Sequence, residues 1–277
     1  MFTSIAKLAS IQTVLALAAA NDMELHQIDI KGAYLNGELT AGETIYMAQP
    51  PGYHAPNSSR KVCHLITLYG LKQCWKCWYQ KLVEIMTHHL QFARCDIDQA
   101  VFFRCNGHEL VTVLVHVDDC TIAALSIQLI NDFKAKISKH VGITNLGKLH
   151  WLLGMEVICN QDQHTIHLSQ EYYIISILHW FNFDELKPTS TPMQTRLILS
   201  MSQIPKTMAK WAQMCDMPYC EAVRLLMYVA LGICPDITYG IKTLSHYSTK
   251  LGPTHWEAVK RVFCYLSGTK GLWLTYG

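Results

Sequence analysis

The segment from residue 110 to residue 125 constrains the fold of this chain more than any other. Residues 110–117 are apolar and rich in β-branched side chains, Asp118 and Asp119 interrupt the run, and apolar residues resume at Cys120. β-Branched residues favour strands, and polar residues between two such runs favour a turn. The pattern therefore predicts a β-hairpin with acidic residues at its tip.

Paired carboxylates at a hairpin tip allow two interpretations. Asp118 and Asp119 repel each other when both are ionised, and a bound cation relieves that repulsion. Carboxylate oxygens are ligands that suit Mg²⁺. Aspartate is also common in turns for conformational reasons alone. The pair by itself leaves both a metal site and an ordinary turn open.

A third carboxylate far upstream favours the metal site. Asp29 interrupts the strand-like stretch 25–30 and is followed five residues later by Tyr34. A carboxylate at the end of one strand can join the hairpin pair around two metal ions if the strands are neighbours in a sheet. We expect the aromatic ring of Tyr34 to contact the sugar of an incoming ligand there.

Hydrophobic periodicity predicts helices around this sheet, and residues 38–62 are predicted to form an irregular Gly/Pro-rich excursion. The predicted helices cover residues 75–90, 127–141, 172–181, 220–232 and 254–267. Strands at 151–158 and 164–168 are predicted to form a second hairpin. These elements predict an α+β fold, with the three aspartates on one edge of an antiparallel sheet.

Length and composition limit the class of protein. A chain of 277 residues, half of them apolar, can bury a large core and form two or three subdomains. Its net charge of +2 gives no global sign of a nucleic-acid binder. Eleven irregularly spaced cysteines indicate reduced thiols in the cytoplasm or nucleus. The lone pair Cys74 and Cys77 is interpreted as chance adjacency, because no second pair stands at zinc-site spacing.

The first twenty residues can be interpreted in two ways. Lys7 followed by the apolar residues 11–20 imitates a secretory signal. Apolar side chains at helical spacing from Ile5 to Leu15 favour an amphipathic helix buried on one side. No apolar run reaches the length of a membrane span, so no membrane partner is expected.

The stretch 240–271 carries a local excess of positive charge. Its cations, opposed by Glu257 alone, are Lys242, Lys250, Lys260, Arg261 and Lys270. Such a stretch suits contact with nucleic-acid phosphates, and Lys242, Lys260 and Arg261 are the residues predicted to make it. A solvated helix face explains the same charges equally well.

Nine short motifs occur in the order typical of one known family. They lie at residues 27–37, 69–73, 117–119, 152–157, 166–170, 191–193, 226–228, 235–237 and 255–261. Together they resemble the reverse transcriptase of Ty1/copia-class retrotransposons over nearly the whole chain. The resemblance implies a palm with an antiparallel sheet, partial fingers and a mostly helical thumb or connection region. The implied domains are fingers and palm (1–150), primer-grip hairpin and start of the thumb (151–195), and helical thumb or connection (196–277).

The same resemblance implies RNA-directed DNA synthesis. Two Mg²⁺ ions, or Mn²⁺ in their place, would be held by Asp29, Asp118, Asp119 and the backbone carbonyl of Ile30, with Asp119 as the supporting carboxylate. The implied reaction joins a dNTP to a primer 3′-hydroxyl. Tyr34 would stack under the sugar and exclude a 2′-hydroxyl, although a core position explains a tyrosine there equally well.

Two further segments resemble substrate contacts of the family. The implied contacts with template and nucleotide are Tyr69, Gly70, Lys72 and Gln73. The implied primer grip consists of Leu152, Leu153 and Gly154. The implied partners are a primed RNA or DNA template and a dNTP, together with the integrase and RNase H parts of the same polyprotein in a full element.

Several features depart from the family pattern. Cys74, Trp75 and Lys76 stand where a small residue, a proline and an arginine are usual, and His116 stands where tyrosine is usual. Compared with the family, the chain is expected to be truncated at both ends, without the first fingers strands and the RNase H domain. These departures support an alternative, a non-catalytic remnant that keeps the palm fold and nucleic-acid binding.

Overall fold

The structure is a computed structural model that describes residues 5–39, 42–53, 61–205, 207, 211, 214 and 216–277. Its contacts divide the chain into two compact units, residues 1–149 and residues 150–277. Both units combine helices with antiparallel strands, so the predicted α+β class is confirmed. The assignment of segments to fingers, palm and thumb remains a prediction.

The described residues of the first unit form three helices and eight strands. The helices are α1 (Leu8–Ala20), α2 (Cys74–Glu84) and α3 (Ile127–Ile137). The strands are β1 (Glu24–Ile30), β2 (Tyr46–Ala48), β3 (Val62–His64), β4 (Ala93–Arg94), β5 (Val101–Asn106), β6 (Glu109–His116), β7 (Asp119–Ala124) and β8 (Ile143–Lys148). A 3₁₀ turn at Ala33–Asn36 follows β1, and a π turn at Ile85–His89 extends α2.

Six of these strands form one antiparallel sheet in the order β4-β5-β6-β7-β1-β8. The predicted hairpin is confirmed as β6 and β7, but its turn lies one residue earlier than expected. Val117 and Asp118 form the turn, whereas Asp119 already pairs with His116. The expected edge position of the aspartates is wrong, because β8 pairs with β1 and makes it an inner strand. Periodicity within a strand does not reveal its neighbours.

The helix predicted from the apolar spacing between Ile5 and Leu15 is confirmed as α1, and the helix predicted at 75–90 is confirmed as α2 with its π turn. Each helix buries one face. α1 buries Ile11 and Leu15 while Leu17 stays exposed. α2 buries Trp78 and Leu82 completely, four residues apart on one face. The excursion at 38–62 lies partly outside the described residues, and the pair β2–β3 occupies part of the remainder.

The second unit pairs a small sheet with a helical core. Its strands, in the order β12-β11-β10-β9, are β9 (Trp151–Leu152), β10 (Met155–Asn160), β11 (Thr165–Ser169) and β12 (Leu274–Tyr276). Its described helices are α4 (Glu171–Trp180), α5 (Tyr219–Gly232), α6 (Thr238–Ser245) and α7 (Pro253–Thr269). Leu226, Val259 and Phe263 are among the fully buried side chains that join these helices.

Two details of the second unit differ from the sequence prediction. The expected strand 151–158 is two strands, because Leu153 and Gly154 both adopt positive φ and form a tight turn. α6 and β12 had no prediction. β12 pairs with β11, which is more than 100 positions away in the chain, and local patterns carry no information about such pairing.

A buried carboxylate ties α1 to the loop before β5. Asp98 accepts hydrogen bonds from the backbone N–H groups of Lys7 (2.8 Å) and Ala100 (3.1 Å). Burial raises the pKa of Asp98, but hydrogen bonds from Ser10, Lys7 and Ala100 outweigh it and leave the pKa below the usual 3.8. The ionised carboxylate therefore stabilises this corner of the first unit.

We expect Asp98→Ala to lower the free energy of unfolding by about 2–4 kcal/mol, because it leaves buried N–H donors without an acceptor. Urea denaturation measures the loss, and Asp96→Ala, at an exposed neighbouring aspartate, is the matched control. The contribution of the Asp98 charge is present above pH 3.8 and is lost as the pH falls through the lower folded-state pKa. The stability gap to Asp98→Asn should therefore shrink in acid; a gap that widens there would contradict this account.

The described residues contain no helix long and apolar enough to cross a membrane. The cysteines for which the structure describes a state are free thiols, from Cys63 to Cys264. Cys74 and Cys77 are both buried on α2.

Candidate active site

Two of the predicted carboxylates stand opposite each other on neighbouring strands. Asp29 on β1 and Asp119 on β7 are register partners. Opposed residues of an antiparallel pair present their side chains on the same face, with Cα atoms about 5 Å apart. Asp118 adjoins them in the turn, where its carbonyl accepts the N–H of Ile30 at 2.8 Å. The backbone positions of the three aspartates thus lie at the same end of the sheet.

The turn that carries Asp118 is strained and is held from outside the sheet. Val117 adopts φ +64°, a conformation that β-branched residues rarely take. Its carbonyl accepts a hydrogen bond of 2.8 Å from the indole N–H of Trp78, a completely buried residue of α2. Strained backbone persists only where surrounding contacts enforce it. Trp78 is therefore a positioning residue for the acidic turn.

Asp119 lies in an environment that disfavours its negative charge. Burial is the main cause that raises its pKa, and the nearby charges of Asp118 and Asp29 raise it further. The side chain of Gln27 opposes this effect by donating to both carboxylate oxygens at 2.7 Å. Three carboxylates so close together leave negative charge that a cation would neutralise.

Tyr34 lies beside these carboxylates. Burial raises the pKa of its hydroxyl, and the negative charge of Asp118 is the next cause, which places the two groups near each other. The ring meets that of Tyr69 edge-on, with centroids 5.3 Å apart. Gly37 ends this turn against α2, where a Cβ would lie 2.8 Å from the backbone nitrogen of Trp78. Tyr34 is half-buried and is therefore neither a core residue nor a free surface side chain.

The segment implied to contact template and nucleotide is accessible. Tyr69, Gly70 and Lys72 are exposed, and Gly70 adopts φ +94°. Gln73 precedes α2 and accepts the N–H of Cys77 at 3.0 Å. This segment therefore contacts Tyr34 through the ring of Tyr69.

The unusual residues after Gln73 form the first turn of α2. Cys74 is buried, and its thiol donates to the carbonyl of Leu68. Trp75 is half-buried and faces a groove shared with Arg94. The large indole of Trp75, which stands where the family usually has proline, is therefore accommodated at the side of the helix.

The implied primer grip forms the β9–β10 hairpin of the second unit. Leu152 is buried, Leu153 is half-buried and Gly154 is exposed at the turn. The hydroxyl of Tyr228 on α5 donates to the carbonyl of Leu153. Burial raises the pKa of Tyr228, so the phenol stays a donor at neutral pH. The hairpin tip is thereby fixed to the helical core of its own unit.

The three predicted phosphate contacts differ in their availability. Lys242 is exposed on α6. Lys260 donates to Glu257 at 2.9 Å, and Arg261 donates to the hydroxyl of Thr191 at 2.9 Å. Among the described residues, the Lys242 ammonium has no ion-pair or hydrogen-bond partner, whereas the other two cations already contact neighbouring side chains.

The three aspartates have the right type of donor atom for a metal ion, but their side chains are not close enough together to coordinate one. Within the described ranges, no three histidine, cysteine, aspartate or glutamate side chains are close enough to hold a metal ion. Asp29, Asp118 and Asp119 nevertheless offer oxygen donors of the type that Mg²⁺ takes. Their register and the raised pKa of Asp119 are both consistent with a cation between them.

Sequence patterns did not reveal three supporting residues of these sites. Gln27 and Tyr228 lie within two of the nine motifs, and Trp78 lies within the predicted helix 75–90. The sequence assigns none of them a role in the site. Gln27 stands two residues before Asp29, so period-two alternation places it on the same face of β1. That signal could have identified Gln27, whereas the contacts of Trp78 and Tyr228 depend on tertiary packing.

Comparison with known proteins agrees with this geometry. The model of the family described as reverse transcriptase (RNA-dependent DNA polymerase) matches residues 1–195, which is more than half of the chain. The chain therefore belongs to the reverse transcriptase family. Its relatives assign it more narrowly to the copia-type reverse transcriptase domains of retrotransposon Pol polyproteins.

Three relatives illustrate the match. The chain is 37% identical to the Retrovirus-related Pol polyprotein from transposon TNT 1-94 of Nicotiana tabacum, over all of this chain and 21% of the relative. It is 32% identical to the Pol polyprotein from transposon RE2 of Arabidopsis thaliana, over all of this chain and 18% of the relative. It is 28% identical to a putative transposon Ty5-1 protein of Saccharomyces cerevisiae, over 90% of this chain and 78% of the relative. No solved structure is significantly similar.

The chain spans about a fifth of the length of the plant Pol polyproteins that it matches. Relatives of that length carry other regions in the same polyprotein. The nine motifs predicted a reverse transcriptase, and the family match confirms that prediction.

Proposed function

We propose that this chain catalyses RNA-directed DNA synthesis with two Mg²⁺ ions held by Asp29, Asp118 and Asp119 and the carbonyl of Ile30. The observation that carries the proposal is the register pairing of Asp29 with Asp119 beside Asp118. When bound, the ions would favour deprotonation of the primer 3′-hydroxyl and stabilise the charge that develops on the transferred phosphate. Mn²⁺ is an alternative with similar ligand preferences.

The remaining residues of the site orient the substrates in this proposal. Tyr34 supports the sugar of the incoming dNTP, and exposed Tyr69 and Lys72 contact its base or phosphates together with the template. Gly70 has no side chain and so allows the template strand to approach the protein backbone closely. Gln73 is the fourth residue of this contact with template and nucleotide. Trp78 holds the carbonyl of Val117 and so keeps Asp118 in place.

Primer extension tests the proposal. The folded 277-residue chain should extend a labelled DNA primer on an RNA template with Mg²⁺ or Mn²⁺, and EDTA should stop the reaction. A folded chain that binds primer–template in a salt-sensitive manner without extending it would support the non-catalytic remnant. The family match does not favour that alternative, and this experiment separates the two.

Replacing Tyr34 by Ala should lower the discrimination against ribonucleotides by about tenfold to a hundredfold, because the ring that blocks the 2′-hydroxyl is removed. Tyr34→Phe keeps the ring and should keep the discrimination. The measurement is the ratio of kcat/KM for dNTP and rNTP incorporation. Equal ratios in the parent and Tyr34→Ala would contradict the role of Tyr34 as a filter.

We further propose that the second unit binds the primer–template. The hairpin of Leu152, Leu153 and Gly154 would contact the primer. Its turn is held in place for that contact by the hydrogen bond from Tyr228. Lys242 would contact phosphate directly, while Lys260 and Arg261 would exchange their present partners for phosphates.

The proposed partners within a full element are the integrase and RNase H regions of the polyprotein. The proposed location is the cytoplasm or nucleus, where free thiols persist.

A further inference from the structure

A groove of about 290 Å³ lies beside α2 and outside every site described above. Its lining residues are Trp75, Lys76, Tyr79, Gln80, Val83 and Arg94. The residues from α2 form one stripe of the helix, and Arg94 comes from β4. The volume is at the lower end of small-molecule pockets, so the groove has room for one ring system and not for a protein helix.

The charge of the groove is positive. Lys76 and Arg94 are exposed cations, and none of the described residues that line the groove is acidic. The hydroxyl of Tyr79 donates to the carbonyl of Gln99 at 2.8 Å. Burial raises the pKa of Tyr79, and the positive charge of Arg94 opposes that shift, so the guanidinium lies near this hydroxyl. The exposed guanidinium therefore lies beside the groove, where it can contact an anion.

Trp75 supplies an aromatic surface in the same groove as these cations. Its indole is half-buried in the groove wall, which restrains the ring for stacking. Aromatic rings flanked by basic side chains are the usual means of binding single-stranded nucleic acid, since every base has a flat face and every nucleotide an anionic phosphate. We propose that this groove binds one unpaired base of a single-stranded nucleic acid by stacking on Trp75, while Lys76 and Arg94 contact the flanking phosphates.

The site is independent of the carboxylates and of any metal, so it can be tested without polymerase activity. Fluorescence anisotropy with a labelled single-stranded oligonucleotide, in EDTA, measures its affinity for the full chain. Trp75→Ala should weaken binding about tenfold, and Trp75→Phe should weaken it much less. Arg94→Gln should weaken binding and reduce the salt dependence by about one phosphate contact. Trp180→Ala removes an indole that is 68% exposed on α4 and is the matched control.

Photocrosslinking locates the contact directly. An oligonucleotide with 5-iodouracil should form an adduct with the peptide that contains Trp75, and unlabelled single strand should compete for it. Affinity of Trp75→Ala within twofold of the parent, or adducts only at other residues, would overturn the proposal. So would equal competition by a free mononucleotide, which lacks the second phosphate contact. Loss of binding in Trp75→Ala beside a chain that does not extend primers would leave this site established and the polymerase proposal rejected.

Discussion

Asp118→Asn is expected to reduce primer extension by about a thousandfold or more while leaving the fold intact. The amide keeps the size of the side chain and removes the charge that the proposed metal ions require, and loss of one essential group in a catalytic set removes most of the rate. Removing one of three neighbouring like charges should also leave stability equal or slightly higher. Single-nucleotide addition measures the rate, and thermal unfolding measures the stability.

Asp96→Asn is the matched control for this experiment. Asp96 is an exposed aspartate in the same unit, and its replacement removes the same charge from the chain without touching the acidic turn. The control should extend primers at the parent rate. Extension by Asp118→Asn within tenfold of the parent would mean that the reaction does not depend on this carboxylate.

Replacement of Trp78 should have the largest effect on stability among the residues that support the site. Trp78→Ala leaves a cavity where a large, fully buried side chain stood, and such changes cost about 3–5 kcal/mol. Trp78→Phe retains an aromatic ring but leaves the carbonyl of Val117 without its donor, which costs about 1–3 kcal/mol. Chemical denaturation followed by circular dichroism measures both losses.

A local measurement separates positioning of the turn from general packing. The amide of Ile30 donates to the carbonyl of Asp118, so its hydrogen exchange reports on the acidic turn. Exchange at Ile30 should accelerate in Trp78→Phe more than exchange in the core strands. Trp75→Phe makes the same substitution at a half-buried position of the same helix and should leave that amide protected. Equal protection of Ile30 in both variants would show that Trp78 acts only through packing.

The sequence predicted the elements of the first unit better than their arrangement. The hairpin at Asp118 and the buried stripe of α2 follow from periodicities of two and about four, which depend on local geometry alone. The inner position of β1 depends on β8, whose sequence Ile143–Lys148 does not alternate between apolar and polar residues. Its pairing with β1 is a tertiary preference that no local pattern carries.

The candidate site shows the same limit on a smaller scale. The positions of Asp29, Asp118 and Asp119 in ordered motifs were sufficient to predict that the strand ends and the turn that carry them are neighbours, whereas a shared metal site stays a prediction. The turn at Val117 and Asp118 was placed one residue too late, because a valine at φ +64° contradicts its own conformational preference. The bond from Trp78 that holds this conformation joins residues 39 positions apart, which places it beyond any local signal.

The inner position of β1 makes the docking of this strand a condition for forming the proposed site. β6 and β7 form a local hairpin, whereas Gln27 and Asp119 are separated by 92 positions. Contacts of such long range form late, because closing a large loop costs entropy before any contact repays it. During synthesis, β1 leaves the ribosome well before β7 and must wait for it. The acidic site is therefore absent from every folding intermediate in which β1 has not yet docked.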